Sequence, residues 1–293
     1  MTVAVMGKAF PVSYKTLLTA MAATDRLAKP ARRATAAPAL LFGTLALATL
    51  PTSAAAVSPF DIRFESEKPG IQTTTATFNT GGVMTFDSLA TGKNQSFTTD
   101  FGTGGIITGK YKGVDIYNAD QYGGAGGTGK YAATFTNAGY TLDLASTAKG
   151  GVNYFGYWLS ALDWGNSVTF YTKGKAFFTF NPQDVRDALD KTGNAASYFG
   201  NPNAGFRGQN RGEPYVFVNF FLDTGSFDRI VFAENPLRGG YESDNHTVGN
   251  FKTKGTGTQV VVSEVPEPAI WATLTMGFVM VGAARRRPLS TAA

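Results

Sequence analysis

Glu242, Asp244, Asn245 and His246 form the densest polar cluster in this chain of 293 residues. Two carboxylates and an amide oxygen at this spacing suit a hard cation, and calcium takes six to eight such oxygens. Glu242, Asp244 and Asn245 are therefore candidate calcium ligands, the only cofactor the sequence suggests. The same side chains can instead hydrogen-bond backbone where a strand enters or leaves a sheet. Zinc is disfavoured, because His246 is the sole histidine and there is no cysteine. The lack of cysteine also excludes disulfides, thiolate nucleophiles and sulfur-ligated metals. A Ser-His-Asp triad would have to use His246, and no Gly-x-Ser-x-Gly elbow presents a nucleophile. A glycosidase needs only two facing carboxylates roughly 5 to 10 Å apart, a pair that spacing along a chain cannot locate.

Flat aromatic side chains offer a second chemistry, stacking on sugar rings. Trp164 stands beside Asp163 and Asn166 in a stretch with the composition of a turn, so these three are the candidate glycan contacts. Trp158 lies in the apolar run Tyr154–Leu159 and reads as core. Gly124 to Lys130 has the glycines and lysine of a phosphate-binding loop. Tyr131 replaces the hydroxyl residue that holds magnesium, and no helix-forming sequence follows, so it reads as a hairpin loop.

The elements that must position these groups are short strands. Phe60, Ile62 and Phe64 alternate with polar residues, as a half-buried strand does. Further strands are expected at 73–78 and 83–86 around a turn at Gly81-Gly82, and then at 106–111, 114–117, 130–136 and 140–144. Tyr154–Leu159 is apolar without alternation, so it should run through the middle with both faces covered. Residues 168–171 and 176–180 form a hairpin about Lys173-Gly174-Lys175, and strands are expected at 215–222, 227–233 and 241–248. One short helix is legible: Asn181 caps it, Pro182 opens it and Gly193 ends it. The Asn- and Gly-rich stretch 194–213 reads as a loop pinned by Phe199 and Phe206. The fold class expected is all-β and antiparallel, with one peripheral helix.

Both ends of the chain read as targeting segments. Arg26, Lys29, Arg32 and Arg33 precede an apolar run, Ala39 to Leu50, and Ala54 and Ala56 offer small residues for cleavage. Residues 1–56 are thus an export signal, with Met21 the expected initiator and the mature chain starting near Val57. At the other end Ala269 to Ala284 is uncharged. As a helix rising about 1.5 Å per residue it covers roughly 24 Å, a minimal membrane span. Pro266 and Pro268 break what precedes it, Trp271 suits an interface, and Arg285, Arg286 and Arg287 supply a cytoplasmic positive flank. Six of the 26 Lys and Arg lie before Val57 and three in that final cluster, while one of the 21 acids, Asp25, is lost with the signal. The remaining 17 bases and 20 acids leave the mature domain near −3, so the basic balance belongs to the targeting segments and argues for no nucleic-acid partner.

The order Pro266-Glu267-Pro268, Trp271-Ala272, apolar span and arginine cluster resembles the PEP-CTERM sorting signal of Gram-negative bacteria, in its PEPxxWA form. The resemblance implies export through the general secretion machinery, transient anchoring in the inner membrane, and recognition by an exosortase that delivers the protein to the outer cell surface or extracellular matrix. The blocks 155–158, 218–221, 227–231 and 241–246 are similar to segments recurring in PEP-CTERM surface proteins, which implies a jelly-roll-like β-sandwich of unassigned activity. The organisation expected is an export signal over 1–56, a sandwich over 57–250, a last strand and Gly/Thr spacer over 251–265, and a sorting signal over 266–287 with its membrane segment at 269–284. The function expected is that of a non-catalytic surface or matrix protein associated with exopolysaccharide; a carbohydrate-active enzyme on the same sandwich is the alternative.

Overall fold

A computed structural model describes residues 58–64, 70–135 and 137–262. The expected export signal with Ala54 and Ala56, the end of the expected spacer and the whole expected sorting signal lie outside the described residues. Among the described residues the chain is mostly antiparallel β-sheet with one α-helix. The strands, in chain order, are β1 (Phe60–Phe64), β2 (Thr77–Met84), β3 (Gly92–Thr99), β4 (Ile107–Asn118), β5 (Lys130–Ala133), β6 (Gly139–Ser146) and β7 (Tyr154–Ser160). They continue as β8 (Asn166–Thr172), β9 (Lys175–Phe180), β10 (Val216–Leu222), β11 (Arg229–Glu234), β12 (Glu242–Thr253) and β13 (Thr258–Gln259), with helix α1 (Gln183–Asp190) between β9 and β10.

Hydrogen bonding joins them into one sheet, ordered β13-β1-β10-β7-β12-β5-β4-β6-β11-β8-β9, with β2 added to β12 and β3 to β4. The sheet curls on itself. Phe60 of β1, near one end of that order, has its ring centroid 4.5 Å from Phe170 of β8 and 5.2 Å from Phe178 of β9, at the other end. The interior is aromatic: Phe155, Tyr157, Phe170, Phe220 and Phe232 are all fully buried. Side chains of this size bury 150–250 Å² each, so truncating one typically costs about 3–5 kcal/mol. β7 pairs with β10 on one side and β12 on the other, and every residue in it is buried, as its unbroken apolar run requires.

Two turns expected from glycine do not form. Gly81 and Gly82 lie inside β2, where a Cβ on Gly82 would overlap the carbonyl oxygen of Phe101. Glycine there permits close backbone approach rather than reversal. Likewise 106–111 and 114–117 are parts of one 12-residue strand, β4, in which Gly113 takes a positive φ of 79° without breaking the strand. β3 was illegible because its sequence, GKNQSFTT, is polar and mostly exposed or half-buried. The Lys173-Gly174 hairpin forms with both residues at positive φ, and Asn181 Oδ1 accepts the N–H of Gln183 at 2.9 Å at the start of α1. Gly124 to Lys130 connects β4 to β5 and contains a single 3-10 turn.

Candidate functional site

Register gathers distant parts of the chain at one end of the sheet. Leu159 and Ser160, at the end of β7, pair with Val216 at the start of β10 and Glu242 at the start of β12. Asn166, opening β8, pairs with Glu234, closing β11. The β7–β8 turn, the residues before β10 and the β11–β12 loop therefore meet there, and with them Asp163, Glu213, Glu234 and Glu242.

Trp164 stands on this end, 72% exposed, while Trp158, six residues earlier, is fully buried. The turn beneath Trp164 is fixed. Ala161 adopts φ 45°, Gly165 φ 94°, and Asn235 donates its N–H to the Gly165 carbonyl at 3.0 Å. A Cβ on Gly165 would press on the Asn235-Pro236 backbone, so glycine is needed for that close contact. Leu237, on the facing loop, is half exposed. Asn166, expected beside Trp164 as a glycan contact, is instead 3% exposed, and neither its Oδ1 nor its Nδ2 has a partner. Its place at the first residue of β8, opposite Glu234, turns it under the turn rather than out of it.

Asp163, Glu213 and Glu234 all lie within electrostatic reach of Glu242. Asp163 fills the space where a Cβ on Gly239 would sit, and Glu242 Oε1 lies 2.7 Å from the corresponding point on Gly240. Burial pushes the Glu242 carboxyl well above the usual range, and Asp163, Glu213 and Glu234 add to it. Glu213 is raised by burial and by Asp163, with Arg186 acting against them. Asp163 and Glu234 are also raised, chiefly by burial. Glu234 is well supplied with partners: Thr134 Oγ1 donates to its Oε2 at 3.3 Å, and the Arg238 N–H donates to Oε1. Glu213 Oε2 and Glu242 Oε2 are buried without partners, as are Ser160 Oγ and Trp158 Nε1.

The polar run on β12 is divided by strand geometry. Alternation sends Ser243 to the interior, where its hydroxyl meets Tyr140 Oη at 2.7 Å, and turns Glu242 and Asp244 to the opposite face. Between Asp244 and Thr247 the register against β7 slips by one residue, and Asn245 takes φ 48°. This bulge resets the alternation and carries His246 inward. There it stacks on Phe232 at 5.1 Å, and its Nδ1 lies 3.0 Å from Tyr111 Oη. Burial drives its pKa down to about 3, so the ring is neutral. A catalytic triad places a carboxylate where Tyr111 stands.

Of the three candidate calcium ligands, Glu242 and Asp244 share a face but not a centre. Asp244 accepts the N–H of Ala125 at 2.8 Å and that of Asn245 at 2.6 Å. Asn245 donates its amide to the Gln72 carbonyl at 3.0 Å. Among the described residues no group of three His, Cys, Asp or Glu side chains is arranged to hold a metal ion. Among them, too, no helix is long and apolar enough to cross a membrane. What sequence reasoning missed is the company of Asp163 and Glu242. They are brought together by Ser160 pairing with Glu242, and no local motif carries that information. No protein-family model matches the chain, and no curated protein or solved structure does either.

Proposed function

We propose that the chain is an exported surface or matrix protein, delivered by its exosortase-type tail, whose β domain binds polysaccharide through Trp164. The observation that carries the binding reading is the contrast between Trp164, 72% exposed on a braced turn, and the fully buried aromatics of β7 beside it. An indole with two rotatable bonds loses little entropy on stacking a sugar ring, and Asp163 beside it can orient hydroxyls. One stacked ring contributes about 1–2 kcal/mol, so a single site binds near the millimolar range, and retention comes from many copies on one surface. The scaffold in this reading is a jelly-roll-like sandwich, a description supported by the curl that sets β1 against β8 and β9.

The test is retention of purified protein on the producer's own polysaccharide, with melting temperature measured alongside. Trp164→Ala should reduce retention and leave the melting temperature within a few degrees of wild type. Unchanged retention would remove the assignment. A second reading, a glycosidase using Glu213 and Glu242, draws on their unpartnered buried oxygens. It predicts release of reducing ends from the same polysaccharide, lost in Glu242→Gln.

A further inference from the structure

The glycan reading leaves open which sugar the site takes, and the groups around Trp164 bear on that. Asp163 precedes it in the turn, only partly buried, with no hydrogen bond or ion pair among the described residues. Glu213 is likewise part-exposed and turns one buried oxygen, Oε2, to no partner. Behind them Glu242 is 2% exposed and also has an unpartnered oxygen, and Ser160 Oγ, its cross-strand neighbour, is fully buried without a partner. Charged groups facing this set are Glu234, held by Thr134 and the Arg238 N–H, and Arg186, which acts on Glu213 while its guanidinium lies 5.2 Å from the Phe199 ring centroid. Four carboxyls, Asp163, Glu213, Glu234 and Glu242, thus gather here with Arg186 and Arg238 as the nearby bases.

Such a site favours a positive charge. A calcium ion needs six to eight oxygens, and the described residues offer no preformed group of three acidic or histidine ligands. An ammonium needs one or two carboxylates and gains further from an indole face. We propose that the Trp164 end of the sheet recognises a cationic amino sugar, a glucosaminium unit within a polysaccharide, with Trp164 stacking the ring and Asp163 and Glu213 pairing with its ammonium. This rests on the glycan reading above. The raised pKa values of Asp163 and Glu213 agree with it, since a bound cation offsets the burial and crowding that hold their protons on.

The experiment measures binding of the full chain to glucosamine oligomers and to fully N-acetylated oligomers of the same length, near pH 6 and at low salt. The charged oligomer should bind at least about tenfold more tightly, and 0.5 M salt should remove most of that preference. Asp163→Asn, or Glu213→Gln if the first variant folds poorly, should bring the two oligomers to within about twofold, whereas Trp164→Ala should weaken both. Equal binding of both oligomers by wild type, lost in Trp164→Ala, would overturn the amino-sugar assignment and keep the glycan platform. Binding of neither oligomer would overturn the assignment, and retention on the producer's polysaccharide would then decide the platform separately. A rise in melting temperature with millimolar calcium, abolished by Asp163→Asn, would assign the acids to a metal and overturn it as well.

Discussion

Asp244 gives a prediction whose magnitude depends on pH. Its side chain is 2% exposed, lies against the Ala125–Gly127 turn, and accepts two backbone N–H groups. Burial raises its pKa from 3.8 to about 8, with those two donors acting in opposition. Between pH 4 and 8 the folded protein therefore keeps a proton on Asp244 that the unfolded chain has released, so stability falls as pH rises through this window. At about 1.4 kcal/mol per pH unit over the shift from 3.8 to about 8, the loss approaches 6 kcal/mol by pH 9. Asn in its place cannot titrate, but its amide nitrogen faces one of the two donors, and the lost hydrogen bond costs about 1–3 kcal/mol at every pH. By pH 5 the wild type has already lost about 1.7 kcal/mol, so Asp244→Asn should lie within about 1 kcal/mol of it there and be more stable by about 3–5 kcal/mol at pH 9. Urea unfolding of both proteins at pH 5, 7 and 9 measures the difference directly, and taking that difference cancels the other buried acids. A constant difference across all three pH values would refute the reasoning: the backbone donors would then be holding Asp244 ionised throughout.

Three further outcomes are expected. His246, neutral in the fold down to about pH 3 against an ordinary 6.5, binds fewer protons folded than unfolded, so it makes stability fall as pH drops from 6.5 to 3. His246→Phe should flatten that acid slope but strand the Tyr111 hydroxyl at about 1–3 kcal/mol, a loss that Tyr111→Phe should recover in the double variant. Gly82→Ala forces β2 away from the Phe101 carbonyl and should cost about 1–3 kcal/mol in denaturant titration; a wild-type curve would mean that β2 does not continue through Gly82. Replacing Pro266, Glu267 and Pro268 by alanine should leave export intact and hold full-length protein in the membrane, as read by cell fractionation. Unchanged release would make the tail an ordinary anchor.

Much of the sheet was legible because burial leaves a period in the sequence. Phe60, Ile62 and Phe64 alternate and form β1; Tyr154–Leu159 does not alternate and forms the doubly covered β7. Glycine has two meanings that local sequence does not separate. Next to β-branched residues it suggests a turn, yet at Gly82 it serves close approach within a strand, which depends on Phe101, 19 residues away. β3 left no period, since neither of its faces is fully buried. At the site, Trp164 and Asp163 were legible from local turn composition. The apparent cluster Glu242–His246 was divided by alternation and by a bulge at Asn245. The meeting of Asp163, Glu213 and Glu242 is a property of register between β7, β10 and β12. Register follows from tertiary packing, and no stretch of the chain encodes it alone.

If Trp164 is the surface on which polysaccharide lands, its own emission reports this most directly. Trp158 is fully buried, and the third tryptophan, Trp271, stands in the C-terminal apolar stretch, so acrylamide quenching of wild type minus that of Trp164→Phe isolates Trp164. Polysaccharide from the producing cell should lower the quenching constant of Trp164 severalfold and leave that of Trp158 unchanged. Quenching of Trp164 that stays the same while the protein is retained on the polysaccharide would contradict the account and move the binding surface elsewhere.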